Sequence, residues 1–401
     1  MSIQSRTGLA TLDSIQFLRF VAASSVAMFH ISTAFSGQLL NNASGIVMHV
    51  AETGAAGVHI FFVISGFIMV YSSFPHEASR FRALDFANKR AVRIFPVYIL
   101  YCFLYLAIYA VVLNGKNLSI VPTLLSLCLW PGYSGLIIGP GWTLSFEVYF
   151  YIAFFIFMKL GLRGGLVGLS LFFVASIFAG HFLDRGNPVI HVMTNSLLIE
   201  FLIGAWIGYG FIAGIQISRP VLFIILAGAF VGFFSGVPFN SKSFPTVLFW
   251  GAPSILLVAS LVFIERHGPL PKIVSRLSKL GASSYSLYLL HILLIDLFLR
   301  FLSARFEWTS LTGPIASAVL VLLVLAAWMI SQTVAVIAYE IIERKLITMF
   351  RRSSIRSKDT SISYPMLANS RHGLSASHPR DLRNAAESEV RSTPSETVRR
   401  E

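Results

Sequence analysis

Charge is scarce in this chain of 401 residues. Asp, Glu, Lys and Arg make up 12% of it, about half the share of an ordinary soluble domain. Acidic residues are scarcer than basic ones, 18 against 31. Cysteine is nearly missing: Cys102 and Cys128 both lie in apolar surroundings, and two such residues build neither a disulfide framework nor a metal site. No His/Cys/Asp spacing suggests a metal. No glycine-rich loop is placed to cradle phosphate, and no dinucleotide fingerprint occurs. There is no internal repeat of the kind that marks many transporters. No small-residue cleavage site follows the first apolar block, so an uncleaved first span is expected.

Apolar residues fill the space left by charge. They are 55% of the chain, the mean hydropathy is +0.74, and they cluster in blocks of about 20, the length that crosses a hydrocarbon core. The expected fold class is all-α: a polytopic transmembrane bundle of about ten spans. The blocks fall at 14–35, 54–73, 94–113, 142–160, 164–182, 194–213, 219–236, 245–264, 283–302 and 313–340. The stretch 118–130 reads either as loop or as a re-entrant segment.

Basic residues gather between alternate blocks. Arg80, Arg82, Lys89, Arg90 and Arg93 precede the third span. Arg266, Lys272, Arg276 and Lys279 precede the ninth. Arg344, Lys345, Arg351, Arg352 and Arg356 follow the tenth. The loop 36–53 has no Lys or Arg, and 114–141 has only Lys116. This asymmetry predicts cytoplasmic basic loops and both termini inside, with Arg305 a mild exception. The net charge of +13 then reports topology, and nucleic acid is not an expected partner. Residues 351–401, rich in Ser, Arg and Pro, cannot bury enough apolar surface to offset their ordering entropy and read as a disordered cytoplasmic tail. Its arginines either touch anionic lipid or are merely solvated.

Several spans carry polar groups where such groups are costly. "FLRFVAASSVAMFH" holds Arg19 and His30, eleven residues apart. That is almost three helical turns, so both share one face, separated by about 16 Å. Taken alone, Arg19 reads as well as a snorkelling side chain, and His30 as a hydrogen-bonded packing residue. "GVHIFFVISGF" at 57–67 places His59 and Ser65 in the second span, with Gly57 and Gly66 allowing close helix approach. "NKRAVRIFPVY" at 88–98 sets Arg90 and Arg93 on adjacent turns before Pro96. Two guanidinium forks so placed suit a phosphate, although the positive-inside bias alone also explains them. "GPGWTLSFEVYFY" puts Glu147 about one turn inside the fourth span, and "GASSYSLYLLH" ends at His291.

Taken together, these segments resemble the integral-membrane acyltransferase-3 family over about residues 12–348. Arg19 and His30 match its Arg-x10-His motif, "FFVISGF" its Phe-Phe-x-x-Ser-Gly-aromatic motif, and Arg90 and Arg93 its Arg-x-x-Arg. "WTLSFE", "YSLYLLH" and the closing "IIERKL" match three more segments in the right order. "IQFLRF" looks most like the branch that acylates bacterial exopolysaccharides. Ser14-Ile15-Gln16 departs from a common Gly-Leu-Arg, and Lys345 from a common Pro.

The resemblance implies a transmembrane acyltransferase domain over 1–350. It would move an acyl group, commonly acetyl, from acyl-CoA to a hydroxyl of a carbohydrate acceptor, free or lipid-linked. The donor is a substrate, and no cofactor is expected to stay bound. His30 is carried over as the general base, which suits a group that titrates near working pH. Glu147 and Arg19 are placed beside it in catalysis. Arg90, Arg93 and Arg19 are expected to hold the phosphates of CoA on the cytoplasmic side. Ser65, His59, Trp142, Tyr285 and His291 are expected to line the acceptor side. Direct attack on the thioester and a covalent acyl-histidine relay both remain open. The implied location is the bacterial inner membrane. The competing class is a polysaccharide or ion transporter with His30, Glu147 and His291 as a proton relay.

Overall fold

A computed structural model of the chain describes residues 11–40, 45–113, 119–131, 135–184, 186–234, 246–305, 308 and 311–350. The expected tail at 351–401 lies outside the described residues. Among those described there is no strand. Ten helices carry the architecture: α1 (Asp13–Gln38), α2 (Ala56–Ser73), α3 (Ala83–Val111), α4 (Trp142–Phe157), α5 (Leu162–Ala179), α6 (Leu198–Ile212), α7 (Arg219–Phe233), α8 (Ala252–Arg266), α9 (Ser284–Ser303) and α10 (Gly313–Ala338). Each coincides with one apolar block of the sequence. With their flanking turns, nine helical stretches among the described residues are long and apolar enough to cross a membrane; α7, at 15 residues, is shorter. The protein is a multi-pass membrane protein.

Two boundaries differ from the sequence pattern in a way that matters for the site. The third span was expected to begin near residue 94, with Arg90 and Arg93 in the preceding loop. The helix instead starts at Ala83, so both arginines are helical and stand within its first three turns. Nothing between Ala83 and Phe95 breaks a helix, and Asp85 in the first turn complements the helix dipole. Pro96 is accommodated inside the helix. The last span was expected to end near 340. It continues through a π-helical turn, Tyr339–Glu343, so "IIERKL" is helical rather than loop. The uncertain stretch 118–130 contains an eight-residue helix, Ile120–Leu127, too short to cross.

The exterior of the bundle is as apolar as its interior. Leu100, Phe103, Ile152, Ile156, Leu171, Val174, Phe223, Ile224 and Leu322 are exposed large hydrophobics on five of the helices. Water would not tolerate so continuous a surface, whereas lipid does. Hydrophobic burial therefore does little to bring these helices together, and close backbone approach takes over. Gly66 of α2 lies against the backbone of Phe201 and Ala205 in α6. A Cβ there would stand 2.8 Å from the Ala205 amide nitrogen. Gly204 and Gly208 of α6 meet the α2 backbone at Val63 and Phe67. Gly57 likewise lets α2 pack on Ala22 and Val26 of α1.

Polar contacts fix the register of the remaining helices. The carboxylate of Glu265, near the end of α8, accepts from the Asp13 amide at 2.8 Å and the Ser14 amide at 3.0 Å. It thereby serves two of the donors left unpaired at the start of α1. Asp13 in turn accepts from the hydroxyls of Ser275 and Ser278. On α3, Tyr98, Tyr101, Tyr105 and Tyr109 recur at helical spacing and form a ladder. Their hydroxyls reach, in order, the Ser126 carbonyl, the Ser286 hydroxyl, the Leu289 carbonyl and the Asp296 carboxylate. The last three partners belong to α9 and ascend with the tyrosines, so α3 and α9 run parallel.

Candidate active site

Arg19, Arg90, Arg93, Glu147 and Glu343 come from four different helical stretches and act on one another electrostatically. Arg19 feels Arg93, Glu343 and Glu147; Arg90 feels Arg93 and Glu147. Arg19 is 8% exposed and Glu343 2% exposed, so these two are interior charges, while Arg90, Arg93 and Glu147 are half-buried. Three guanidinium groups face two carboxylates, which leaves an excess of positive charge. No ion pair among the described residues closes onto any of the three arginines.

Two of the three arginines are nevertheless held. Arg90 donates to the Ser72 hydroxyl at 2.6 Å and lies over the rings of Phe86 and Tyr151, at 5.6 and 5.7 Å from their centroids. Its Nε is buried and without a hydrogen-bond partner. Arg19 donates a long bond, 3.4 Å, to the Gln16 side chain. Gln16 thus offers Arg19 an acceptor one turn earlier on the same helix. Stacked, oriented guanidinium groups with donors to spare are the ordinary means of holding a phosphate in a low-dielectric setting.

The carboxylates are also fixed. Glu147 Oε1 accepts from Ser65 at 3.0 Å and from the Tyr151 hydroxyl. Glu343 accepts from Ser286 at 2.7 Å, and Ser286 meets Tyr101 at 2.9 Å. Tyr285, one residue earlier on α9, donates to the Ile94 carbonyl at 3.1 Å, next to Arg93 in α3. The hydrogen-bond partners of Glu147 are Ser65 and Tyr151.

His30 stands further along α1, and its ring lies beside that of His291 of α9, with centroids 5.3 Å apart. His291 is fully buried. Tyr288, one turn earlier on α9, lies 5.8 Å from the His291 ring and 5.7 Å from Phe61 of α2. The Tyr288 hydroxyl meets Thr143 at 2.8 Å and donates to the Pro140 carbonyl at 3.2 Å. An aromatic band therefore separates the arginine cluster from the histidine pair. Trp142 is 39% exposed at the start of α4 and packs edge-on against Phe62.

His59 is placed differently. It was expected to share a cavity with Ser65, but six residues along a helix turn it to another face of α2. Its Nδ1 lies 2.6 Å from Oε1 of Glu200 in α6, and both side chains are buried. His59 is thus part of the α2–α6 contact and not of the arginine cluster.

The sequence by itself assigns no role to three contributors. Glu200 sits alone in an apolar helix, Glu343 is the acid of the "IIERKL" segment, and the tyrosines of α3 look like aromatic filler. Only the tyrosines had a usable signal, their recurrence at positions 98, 101, 105 and 109 on one helical face.

Comparison with known proteins places the chain in a family. A family profile described as "Acyltransferase domain", of the acyltransferase-3 type, matches residues 12–332. An "Exopolysaccharide production protein ExoZ" from Rhizobium meliloti (strain 1021) is 32% identical over 257 residues, covering 61% of this chain and 77% of that protein. "Acyltransferase MdmB" from Streptomyces mycarofaciens is 24% identical over 363 residues, covering 80% of this chain and 90% of that protein. No solved structure matches. With the profile spanning most of its length, the chain belongs to the acyltransferase-3 family of membrane acyltransferases.

Proposed function

We propose that this protein transfers an acetyl group from acetyl-CoA to a hydroxyl of an exported polysaccharide, with His30 as the general base. The observation that carries the reading is the mutual electrostatic influence of Arg19, Arg90 and Arg93, none of which is in an ion pair among the described residues. His30 lies further along the same helix. The exopolysaccharide name of the Rhizobium relative supports the acceptor class.

In this reading the arginine end faces the cytoplasm of a bacterium, where CoA is found, and both termini lie on that side. The phosphates of the donor sit among the three guanidinium groups. The pantetheine arm passes the aromatic band of Phe61 and Tyr288 and brings the thioester to His30, about 16 Å away along α1. The acceptor hydroxyl enters from the opposite side, past Trp142. His30 takes the hydroxyl proton while the oxygen attacks the thioester carbon, and the departing thiolate is protonated in turn. Glu147 and Glu343 keep the arginines apart and limit the excess positive charge. Membership of an acyltransferase family favours group transfer over transport.

The deciding experiment is ester analysis of exopolysaccharide from cells that make the wild-type protein, His30→Ala, or none. The reading expects ester-linked acetyl only with wild type. Acetate on the polymer irrespective of the protein would overturn the acceptor assignment. Radiolabelled acetyl-CoA supplied to inside-out membrane vesicles tests the donor; no protein-dependent label in carbohydrate would reject it.

A further inference from the structure

His291 is buried, uncharged by any neighbouring acid, and bound in a way that fixes its tautomer. Its Nδ1 lies 3.3 Å from the Leu287 carbonyl oxygen on its own helix. A carbonyl oxygen can only accept, so Nδ1 carries the hydrogen and Nε2 bears the lone pair. That Nε2 is buried and has no hydrogen-bond partner. A bare base inside a membrane bundle is costly unless it has a task. The group beside it is the ring of His30, centroid to centroid 5.3 Å, with the planes inclined by 36°.

The turn that carries His291 is held from outside. The Tyr105 hydroxyl donates to the Leu289 carbonyl at 2.7 Å and accepts from the Leu293 amide at 3.1 Å. It thus grips the backbone rung that brackets residue 291. Tyr288, anchored on Thr143 and Pro140, packs against the imidazole on the other side.

Building on the transferase reading above, we infer that His291 is the positioning residue and proton partner of His30. Its Nε2 accepts the ring N–H of His30, which leaves the other His30 nitrogen as the lone pair that faces the acceptor hydroxyl. During transfer the hydroxyl O–H bond breaks and its proton goes to that nitrogen, while the oxygen–acyl carbon bond forms. The proton on the far side of His30 moves to His291 Nε2. As the carbon–sulfur bond breaks, the proton returns through His30 to the thiolate. No net proton is gained or lost. Two neutral imidazoles do here what a histidine and an acid do elsewhere, without placing a fixed negative charge in the apolar layer.

The test measures steady-state transfer from acetyl-CoA by purified wild type, His291→Gln, His291→Ala, His30→Ala and the His30→Ala/His291→Ala double variant. His291→Gln should lower kcat by about 10²-fold, the order of a general-base contribution, with KM for both substrates within about twofold. Added imidazole should restore part of the rate to His291→Ala. The double variant should be no slower than His30→Ala, because the two act as one unit. Near-normal kcat in His291→Gln, with His30→Ala inactive, would reject the inference and leave the reading of His30 intact. A rise in acceptor KM at unchanged kcat would make His291 an acceptor-binding residue instead. Full activity in both His30→Ala and His291→Gln would overturn the transferase reading of the pair itself. Should the alanine variant misfold, His291→Gln, similar in size and polar, decides.

Discussion

The hydroxyl of Ser65 donates to Glu147 across 3.0 Å and ties the Ser-Gly segment of α2 to the acidic end of "WTLSFE" in α4. Two motifs 82 residues apart in sequence thereby share one hydrogen bond. The second contact of Glu147, to Tyr151, brings in the ring over which Arg90 is stacked. A mutation in any of these segments should therefore register at the arginine cluster.

Loss of the base should abolish transfer without undoing the fold. His30→Ala is expected to reduce turnover by roughly 10²–10⁴-fold while the protein still inserts, since one polar side chain contributes little to a bundle of this size. Turnover of detergent-purified protein, normalised to monodisperse material, measures it. Substantial residual transfer would remove His30 from the base role.

Arg90→Lys and Arg93→Lys should raise the donor KM and leave the acceptor KM unchanged. Lysine keeps the charge but loses the planar fork and, at position 90, its stacking on Phe86 and Tyr151. An effect confined to the acceptor KM would move the pair out of the donor site.

The α2–α6 contact should be intolerant of bulk. Gly66→Leu must displace the α6 backbone and is expected to destabilise by at least ~1–3 kcal/mol, the range for overpacking. Gly228→Ala on α7, with nothing within 4 Å of the added carbon, should be neutral or slightly stabilising. Thermal unfolding in detergent compares them. Equal melting temperatures would mean that the two helices do not pack as closely as described.

Tyr105→Phe removes one hydroxyl and two hydrogen bonds from the α3–α9 contact. The Leu289 carbonyl and Leu293 amide can still pair with each other along their helix, so the expected loss is near 1 kcal/mol. Hydrogen exchange at the Leu293 amide should rise in the variant. Unchanged protection there would show that the hydroxyl is not engaged with that rung.

Removal of residues beyond about 355 should leave transfer intact. The composition of that segment does not support a core, and none of the family motifs falls in it. A truncated protein of normal abundance but low activity would reveal a contact made by the segment.

Much of this protein was legible before any coordinates. Blocks of about 20 apolar residues dictate membrane helices because the bilayer leaves the backbone no other partner. The spacing of Arg19 and His30 puts them on one face by helix geometry alone. What the sequence could not supply was which helices meet and which faces they present. Apolar on all sides, helices such as α2 and α6 have no stripe to announce a partner; the choice rests on glycines at Gly66, Gly204 and Gly208 interlocking with the opposite backbone. The partner of His59 was invisible for the same reason, since Glu200 lies 141 residues away. So was the meeting of His30 with His291. Local sequence determines where a polar group sits along its own helix. Only the packing of the bundle decides which other polar group it must face, because in lipid each buried donor and acceptor has to find its match within the protein.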